Sequence, residues 1–539
     1  MATYKERAAF TLKRLKNFWR DFSRSKRGVL GVVIILFYII VALIGPLFIT
    51  IDPLFPTMPG YYPAGPAPIA DVLCKPTWYK YFPGRSGMSE NMKLISDHEF
   101  SSIKAMEAWD QKTNAPNLIS YAYNPTAGSH NNDGCIEISY NRPADYTSTE
   151  TPYLQITHNF TYPYQESPRK FWIHLSFLLN GTITRESYVS IEVSFYRIQT
   201  PPPPLNYTYP SSLTTYIDSL IIYKYPLHSI NTTSPSATWT HMWITSTRDS
   251  IMYDPKYYLK PCAIIFPTSG NYTFEIKVSF YDTATTEREI KVYLDNLDVL
   301  IYGEAYGILG TDYKTGGPRD NLISLVYGAR ISIFVGLLAT FISVSLGLLV
   351  GLTAGYVGGL GDEALMRLAD FLMCLPGLPL YIVLMVVLGS SIWNVILLMS
   401  FLGWMGFSRQ IRSMTLSLRE RAFVEAAKAA GAGKVWILFK HILPNVFALV
   451  YIALAVSVPG VVLTEATLSW LGLFDPKQIS WGRMLHEFSQ AGVAVARGIE
   501  DYWFWVIPPG IAIALLAIAF VLLGYSLDEI LNPKLRVRR

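Results

Sequence analysis

The sequence predicts an α-helical polytopic membrane protein with six transmembrane helices, interrupted by an extracytoplasmic antiparallel β-sandwich. Three observations carry this. Of the 539 residues 51% are apolar and mean hydropathy is positive, a composition of membrane proteins rather than of several soluble domains. The apolar residues are gathered into six runs, Gly28 to Ile51, Ile331 to Val357, Phe371 to Leu388, Ile392 to Phe407, Val446 to Leu471 and Trp503 to Tyr525, and a bilayer crossing takes about 20 residues. Between the first and second runs lies a polar stretch, residues 52–306, whose apolar residues alternate with period two instead.

Residues 1–27 are a basic segment with Lys5, Arg7, Lys13, Arg14, Lys16, Arg20, Arg24, Lys26 and Arg27 against Glu6 and Asp21. This bias places the N-terminus in the cytoplasm. The first run, 28–51, is longer than the apolar part of a secretory signal, about 7–15 residues, and lacks a small-x-small cleavage site, so it is expected to be a retained helix. Counting spans forward puts the loop over residues 409–444 inside as well. That loop carries Arg409, Arg412, Arg419, Arg421, Lys428, Lys434 and Lys440, and the C-terminal tail is equally basic. The net charge of +5 is therefore a topology signal; the basic-aromatic pattern of nucleic-acid binding is absent.

Residues 52–306 then fall on the extracellular side. Tyr188 to Tyr196, Tyr272 to Phe280 and Glu289 to Leu294 alternate as half-buried strands do, with turn residues such as Thr268 to Asn271 between them, which predicts an antiparallel sandwich. All Asn-x-Ser/Thr acceptors lie here, at Asn159, Asn180, Asn206, Asn231 and Asn271, and the segment is expected to be glycosylated. Cys74, Cys135 and Cys262 are also here, with Cys374 in a span. An oxidising exterior permits one disulfide among three pairings. Cys135 with Cys262 is the expected pair, because both flank strands. Trp172, Trp239 and Trp243 could stack on a sugar ring, although packing is the commoner role of a tryptophan on a strand.

The most telling stretch is Val424-Glu-Ala-Ala-Lys-Ala-Ala-Gly431. Its alanines favour a helix of almost no bulk, which a partner can approach closely. Gly431 tolerates the left-handed conformation that ends such a helix, and Pro444, after Leu443, suits the first turn of the next one. Glu425 is the candidate for a polar contact to the partner; its alternative role is to favour the helix N-terminus electrostatically, by about 0.3–1 kcal/mol. Glu465 lies within the fifth run, where an ionisable group faces the protein interior or a cavity. A pathway, a subunit interface and a structural hydrogen bond are all open to it. Asp370 and Arg367 read as a packing ion pair.

Enzyme signatures fail. Gly431-Ala-Gly433-Lys434 ends like a phosphate-binding loop, but Val435 stands for the required Ser/Thr; His486-Glu487 begins a zincin pair, but Gln490 stands for the second histidine. No Cys/His spacing suggests a metal site. Gly355, Gly358, Gly359 and Gly361 read as a tight turn between spans. A membrane-tethered hydrolase lacks any paired catalytic signature.

The stretch 424–444 resembles the EAA loop, or coupling helix, of permeases in binding-protein-dependent ABC importers. Further motifs agree: Ser25 to Gly31, Leu309-Gly-Thr-Asp312, Leu325 to Ser332, Ala354 to Gly359, Asp362 to Asp370, Leu463 to Gly472, Ser480 to Leu485 and Leu531 to Leu535. Together they resemble the C-type permease of dipeptide and oligopeptide importers. The resemblance implies a type I permease core over residues 307–539 and a second homologous permease, two cytoplasmic ATPases and an extracytoplasmic solute-binding protein as partners. ATP and Mg would be bound by those ATPases and no cofactor by this chain, which sits in membrane lipid. It implies ATPase coupling through Glu425, Ala426, Ala427, Gly431, Leu443 and Pro444, and peptide cargo, with oligosaccharide as the alternative and the β-domain then a sugar- or receptor-binding module. His441 stands where the family commonly has an aliphatic residue. Relatives have only a short linker in place of the insert, and used sequons in such an importer point to an archaeal source.

Overall fold

The computed structural model describes residues 19–49, 51–52, 54, 57, 67–130, 134–144, 146, 150–181, 187–199, 214–217, 220–232, 238–246, 261–283, 286–313, 317–492 and 502–531. Two compact units divide the chain: Met1–Leu54 with Asn321–Arg539, and Phe55–Asp320.

The first unit is helical. Helix α1 spans Lys26–Ile44 and is capped by Ser25, whose Oγ accepts from the Gly28 N–H at 3.3 Å. There follow α2 (Asn321–Val357), α3 (Gly359–Cys374), α4 (Gly377–Leu388), α5 (Ile392–Arg419), α6 (Ala422–Ala429), α7 (Lys434–Ile437), α8 (Leu443–Trp470), α9 (Trp481–Gln490) and α10 (Trp503–Leu531). Among the described residues five helical segments are long and apolar enough to cross a membrane, and a sixth crossing is possible only as a bent pair.

That pair corrects the third expected span. Residues 371–388 are not one helix: α3 and α4 meet at 90°. Pro376 has no N–H to continue the helix and forces its predecessor out of the helical region; Leu375 is accordingly extended, at ψ 139°. At 12 residues, α4 is about 18 Å long, short of the roughly 30 Å hydrocarbon core.

Small residues set the closest helix contact. A Cβ on Gly347, Gly351 or Gly355 would lie 2.8, 2.4 or 2.9 Å from the carbonyl oxygens of Trp404, Ser408 and Arg412. This i, i+4, i+8 stripe lets α2 lie directly on the α5 backbone, the packing that membrane helices use in place of a hydrophobic drive. Gly358 and Gly359, both at positive φ, make the turn into α3. There Asp362 takes a two-pronged ion pair from Arg412, at 2.5 and 2.6 Å. Asp370 pairs with Arg409, not with Arg367, whose own partner is Glu363 at 3.5 Å. The expected local pair is thus replaced by one that ties α3 to α5.

The second unit is an antiparallel sandwich. Strands β1 (Met92–Lys93), β3 (Ile119–Asn124), β4 (Cys135–Arg142), β6 (Lys170–Gly181), β10 (Thr240–Thr245) and β12 (Arg288–Tyr302) make one sheet, ordered β10-β6-β12-β4-β3 with β1 on β12. The other is β2-β5-β11-β7-β9-β8, from Asp110–Thr113, Tyr153–Tyr162, Gly270–Asp282, Ser187–Gln199, Leu220–Thr232 and Thr214–Ile217. The three expected strands fall inside β7, β11 and β12. Alternate residues of both sheets, such as Ile136, Ile138, Phe171 and Ile173 from one and Ile156, Val193, Phe274 and Ile276 from the other, join in a single buried core.

The unit runs past the expected boundary at 306, to Asp320. Its entering and leaving strands are laced together: Cys74 N donates to Thr311 Oγ1 at 2.8 Å, Thr311 Oγ1 to Asp71 O at 2.7 Å, and Leu73 N to Asp312 O at 3.1 Å. Arg319 closes this neck on Asp312 through Nε at 2.6 Å, both side chains being buried. Leu309 to Asp312 therefore belongs to the sandwich, not to the helical core.

The expected Cys135–Cys262 disulfide is not formed; both residues are thiols. Cys135 opens β4, where burial beside Asp295 pushes its thiol up to about 12. Cys262 lies in the short helix Pro261–Ile265 beside Tyr162 of the other sheet. Trp172 is buried, stacked on His174 with ring centres 5.5 Å apart and packed on Ala67, Leu300 and Tyr302. Trp243 joins that cluster and Trp239 is half-buried, so packing accounts for Trp172 and Trp243. Asn159, Asn180 and Asn271 are exposed; Asn231 is on β9, and Asn206 lies outside the described residues.

Candidate functional site

The Val424–Gly431 stretch folds as its composition predicts. Helix α6 covers Ala422–Ala429 and ends in a Schellman turn, with Ala432 N donating to Ala427 O at 3.0 Å and Gly431 N to Lys428 O at 2.9 Å. Gly431 is at φ +80°, where a Cβ would clash with its own backbone. Val424 is the anchor. It is fully buried and packs with Leu352, Tyr356, Ile411, Leu418, Ile437 and Ile442, so a single apolar side chain fixes which face of α6 points outward.

The outward face carries Glu425, Ala426, Lys428, Ala429 and Gly431, all exposed, with Ala427 half-buried. Glu425 is in the first turn of α6, and among the described residues its carboxylate has no hydrogen-bond or ion-pair partner. Beyond the Gly431 bend, α7 leads into a wide π-type turn, Leu438–Ile442, which delivers the chain to α8. Leu443 packs partly against the Val424 cluster and Pro444 occupies the first turn of α8, exposed. All six residues assigned to coupling thus lie on one continuous segment.

Sequence reasoning missed the aromatic surround. Phe423, Trp436 and Phe439 are 42%, 51% and 58% exposed, and with Ala427, the Ala430–Gly433 bend and His441, Phe423 and Trp436 line an open groove of about 640 Å³. His441 sits against the Trp436 ring at 4.9 Å and near Phe423 at 6.0 Å. Three exposed aromatics in a basic loop were the available signal. A groove lined by small residues and the Phe423, Trp436 and His441 rings is suited to receive a protein surface rather than to do chemistry.

Glu465 has the opposite setting. It is 4% exposed, accepting from Ser469 Oγ at 2.8 Å and Ser332 Oγ at 3.4 Å. Ser480, which caps α9 by accepting from Arg483 N at 3.2 Å, donates to Ser469. Gly482 lets α9 touch α8, since its Cβ would lie 2.6 Å from Ala466 Cα. Trp481, fully buried, donates to Leu325 O at 2.9 Å. The Glu465 carboxyl is buried within this unit and links α8 to α2 through Ser332, with Ser480 at the start of α9 joined to it through Ser469.

The family model for the binding-protein-dependent transport system inner membrane component matches residues 347–537, and that for the N-terminal TM domain of oligopeptide transport permease C matches 13–62. Among curated relatives, an oligopeptide transport system permease protein OppC of Haemophilus influenzae is 35% identical over 232 residues, 43% of this chain and 71% of the relative. A dipeptide transport system permease protein DppC of Bacillus subtilis is 34% identical, over 40% of this chain and 67% of the relative. A glutathione transport system permease protein GsiD of Pectobacterium atrosepticum is 33% identical, over 40% and 70%.

Proposed function

The chain belongs to the family of binding-protein-dependent ABC importer permeases, and from that premise we propose how it works as a peptide importer subunit. It forms half of a translocation pathway for di- or oligopeptides, with a second homologous permease as the other half. A solute-binding protein delivers cargo from the side on which the β-sandwich lies, and both chain termini are cytoplasmic. Two partner ATPases bind the ATP and Mg, and this chain contributes no catalytic group.

The observation that supports this reading best is α6: a bulk-free face held outward by Val424 and bordered by an aromatic groove. An ATPase cleft can close over Ala426 and Ala427 at short range, with Glu425 offering the acidic contact on that face. Movement of the ATPases is then passed to the helical bundle through the Val424 cluster, which joins α6 to α2, α5 and α8. The roles given to Leu443 and Pro444 are to fix where α8 begins.

Replacing Ala426 and Ala427 together by leucine tests the docking. ATPase activity stimulated by peptide-loaded binding protein is expected to fall at least about fivefold, because overpacking a close contact costs roughly 1–3 kcal/mol, while the two permeases still copurify. Normal stimulation in that variant rejects α6 as the docking helix.

A further inference from the structure

At the end of the helical unit remote from α6 an apolar groove of about 970 Å³ opens between α1, α2, the start of α5 and the segment leading to α9. Helix α5 has 28 residues, about 42 Å, and it begins at this groove and ends at the coupling segment. The walls are Leu43 of α1, Phe334 and Leu337 of α2 and Trp393 of α5, exposed by 67%, 41%, 40% and 58%. The rim is charged: Arg330, Lys477 and Asp52 all line it and all are exposed.

Neither Arg330 nor Lys477 has an ion-pair or side-chain hydrogen-bond partner among the described residues. Asp52 is engaged, its Oδ1 accepting from Leu54 N at 2.7 Å. The groove therefore has two unpartnered cations against one anion at one end. Along α2 it continues from Arg330 to Leu337, about 10 Å, past Ile331, Phe334 and Leu337, with Tyr327 and Gln478 the uncharged polar side chains of its lining. That is the polarity of an amphiphile with an anionic head, and a peptide, with polar groups along its length, fits the apolar part badly.

We propose that the groove binds one anionic phospholipid of the surrounding bilayer, an acyl chain lying along Leu43, Phe334 and Leu337 and the phosphate meeting Arg330 and Lys477. Trp393, at the start of α5 and exposed, would then meet the headgroup region, where tryptophan is enriched. The orientation given above makes this the outer leaflet; the binding itself does not depend on it.

The full chain, purified in detergent, is equilibrated with mixed micelles of phosphatidylglycerol and phosphatidylcholine, and retained lipid is counted by native mass spectrometry. One uncancelled cation near a lipid surface predicts a preference for phosphatidylglycerol of about fivefold. Asp52→Asn, which keeps the oxygen that holds Leu54, should raise it by about a further fivefold. The double variant Arg330→Ala/Lys477→Ala should abolish or invert it. Equal retention of the two lipids by the wild type, or an unchanged preference in the double variant, overturns the proposal. So does Trp393→Cys cross-linking to the second permease in the assembled transporter, since that makes the groove a subunit interface. Peptide uptake by the same variants reports separately on the transport reading: normal uptake with no lipid preference rejects the lipid site and leaves the permease role standing.

Discussion

Glu425 and Glu465 are the same residue type in two settings, and the settings differ in almost every physical respect. Glu425 lies on an exposed helix face and its carboxylate has no partner among the described residues, whereas Glu465 is enclosed and meets the hydroxyls of Ser332 and Ser469. A buried carboxyl with its hydrogen bonds made is already committed to the fold, since leaving it unpaired would be costly. An exposed one contributes little to stability and is available for a partner. From this contrast we propose architecture for Glu465 and interaction for Glu425, and the proposal can be broken by separating stability from coupling in variants.

The largest effect on stability is expected for Glu465→Ala. It leaves a cavity and removes the acceptor for two buried hydroxyls, so a loss of about 3 kcal/mol is expected, from unsatisfied groups at about 1–3 kcal/mol each plus the void. Thermal unfolding in detergent should show it, and a stable Glu465→Ala protein would end the architectural assignment. A loss of similar size extends the rule beyond the helices. His174 is buried in the sandwich and its Nδ1 donates to Asn296 O, 2.8 Å away; burial pushes it down to about 4 from 6.5. A group depressed in the folded state favours folding fully above its unfolded value and ceases to do so as pH falls through the folded one. Stability of the sandwich should therefore decline from about pH 6.5 to 4 by roughly 3 kcal/mol. His174→Gln, which does not titrate, should flatten that part of the curve of unfolding against pH.

A smaller change is expected for Val424→Ala, about 2 kcal/mol from lost burial and the cavity. It should act locally, as faster proteolysis at Arg421 and Lys428, and should weaken coupling as α6 loses its fixed orientation. The smallest is Glu425→Ala, no more than about 0.3–1 kcal/mol from the helix N-terminus. Coupled ATPase activity should nevertheless drop. If Glu425→Ala couples like the wild type, then the helix-terminus effect is all that Glu425 provides.

Features set by local sequence were legible before the fold was known. The apolar runs, the alternation in β7, β11 and β12, the short helix at 422–429 and its termination at Gly431 all depend on neighbours a few residues apart. What escaped depends on distant ones. Ser332 lies 133 residues from Glu465 and Thr311 lies 237 from Cys74, so neither the buried knot nor the neck leaves a periodic trace. The break at Pro376 was visible as a residue, yet the apolar run around it hid its effect. The thiols of Cys135 and Cys262 seemed pairable because each flanks a strand; that they sit against different sheets is a property of the sandwich order. The aromatic groove beside α6 needed the π-type turn that brings His441 and Trp436 back beside Phe423.

The neck at Asp71–Lys75 and Glu304–Arg319 has a consequence for how such a chain could arise and be re-engineered. Because the strands entering and leaving the sandwich are stitched to each other, the unit behaves as a bead on a closed loop. Its content between residues 76 and 303 could be exchanged, enlarged or excised while the spacing of the two connecting ends stayed constant, so the sandwich of a transporter of this kind can diversify without renegotiating the packing of its helices.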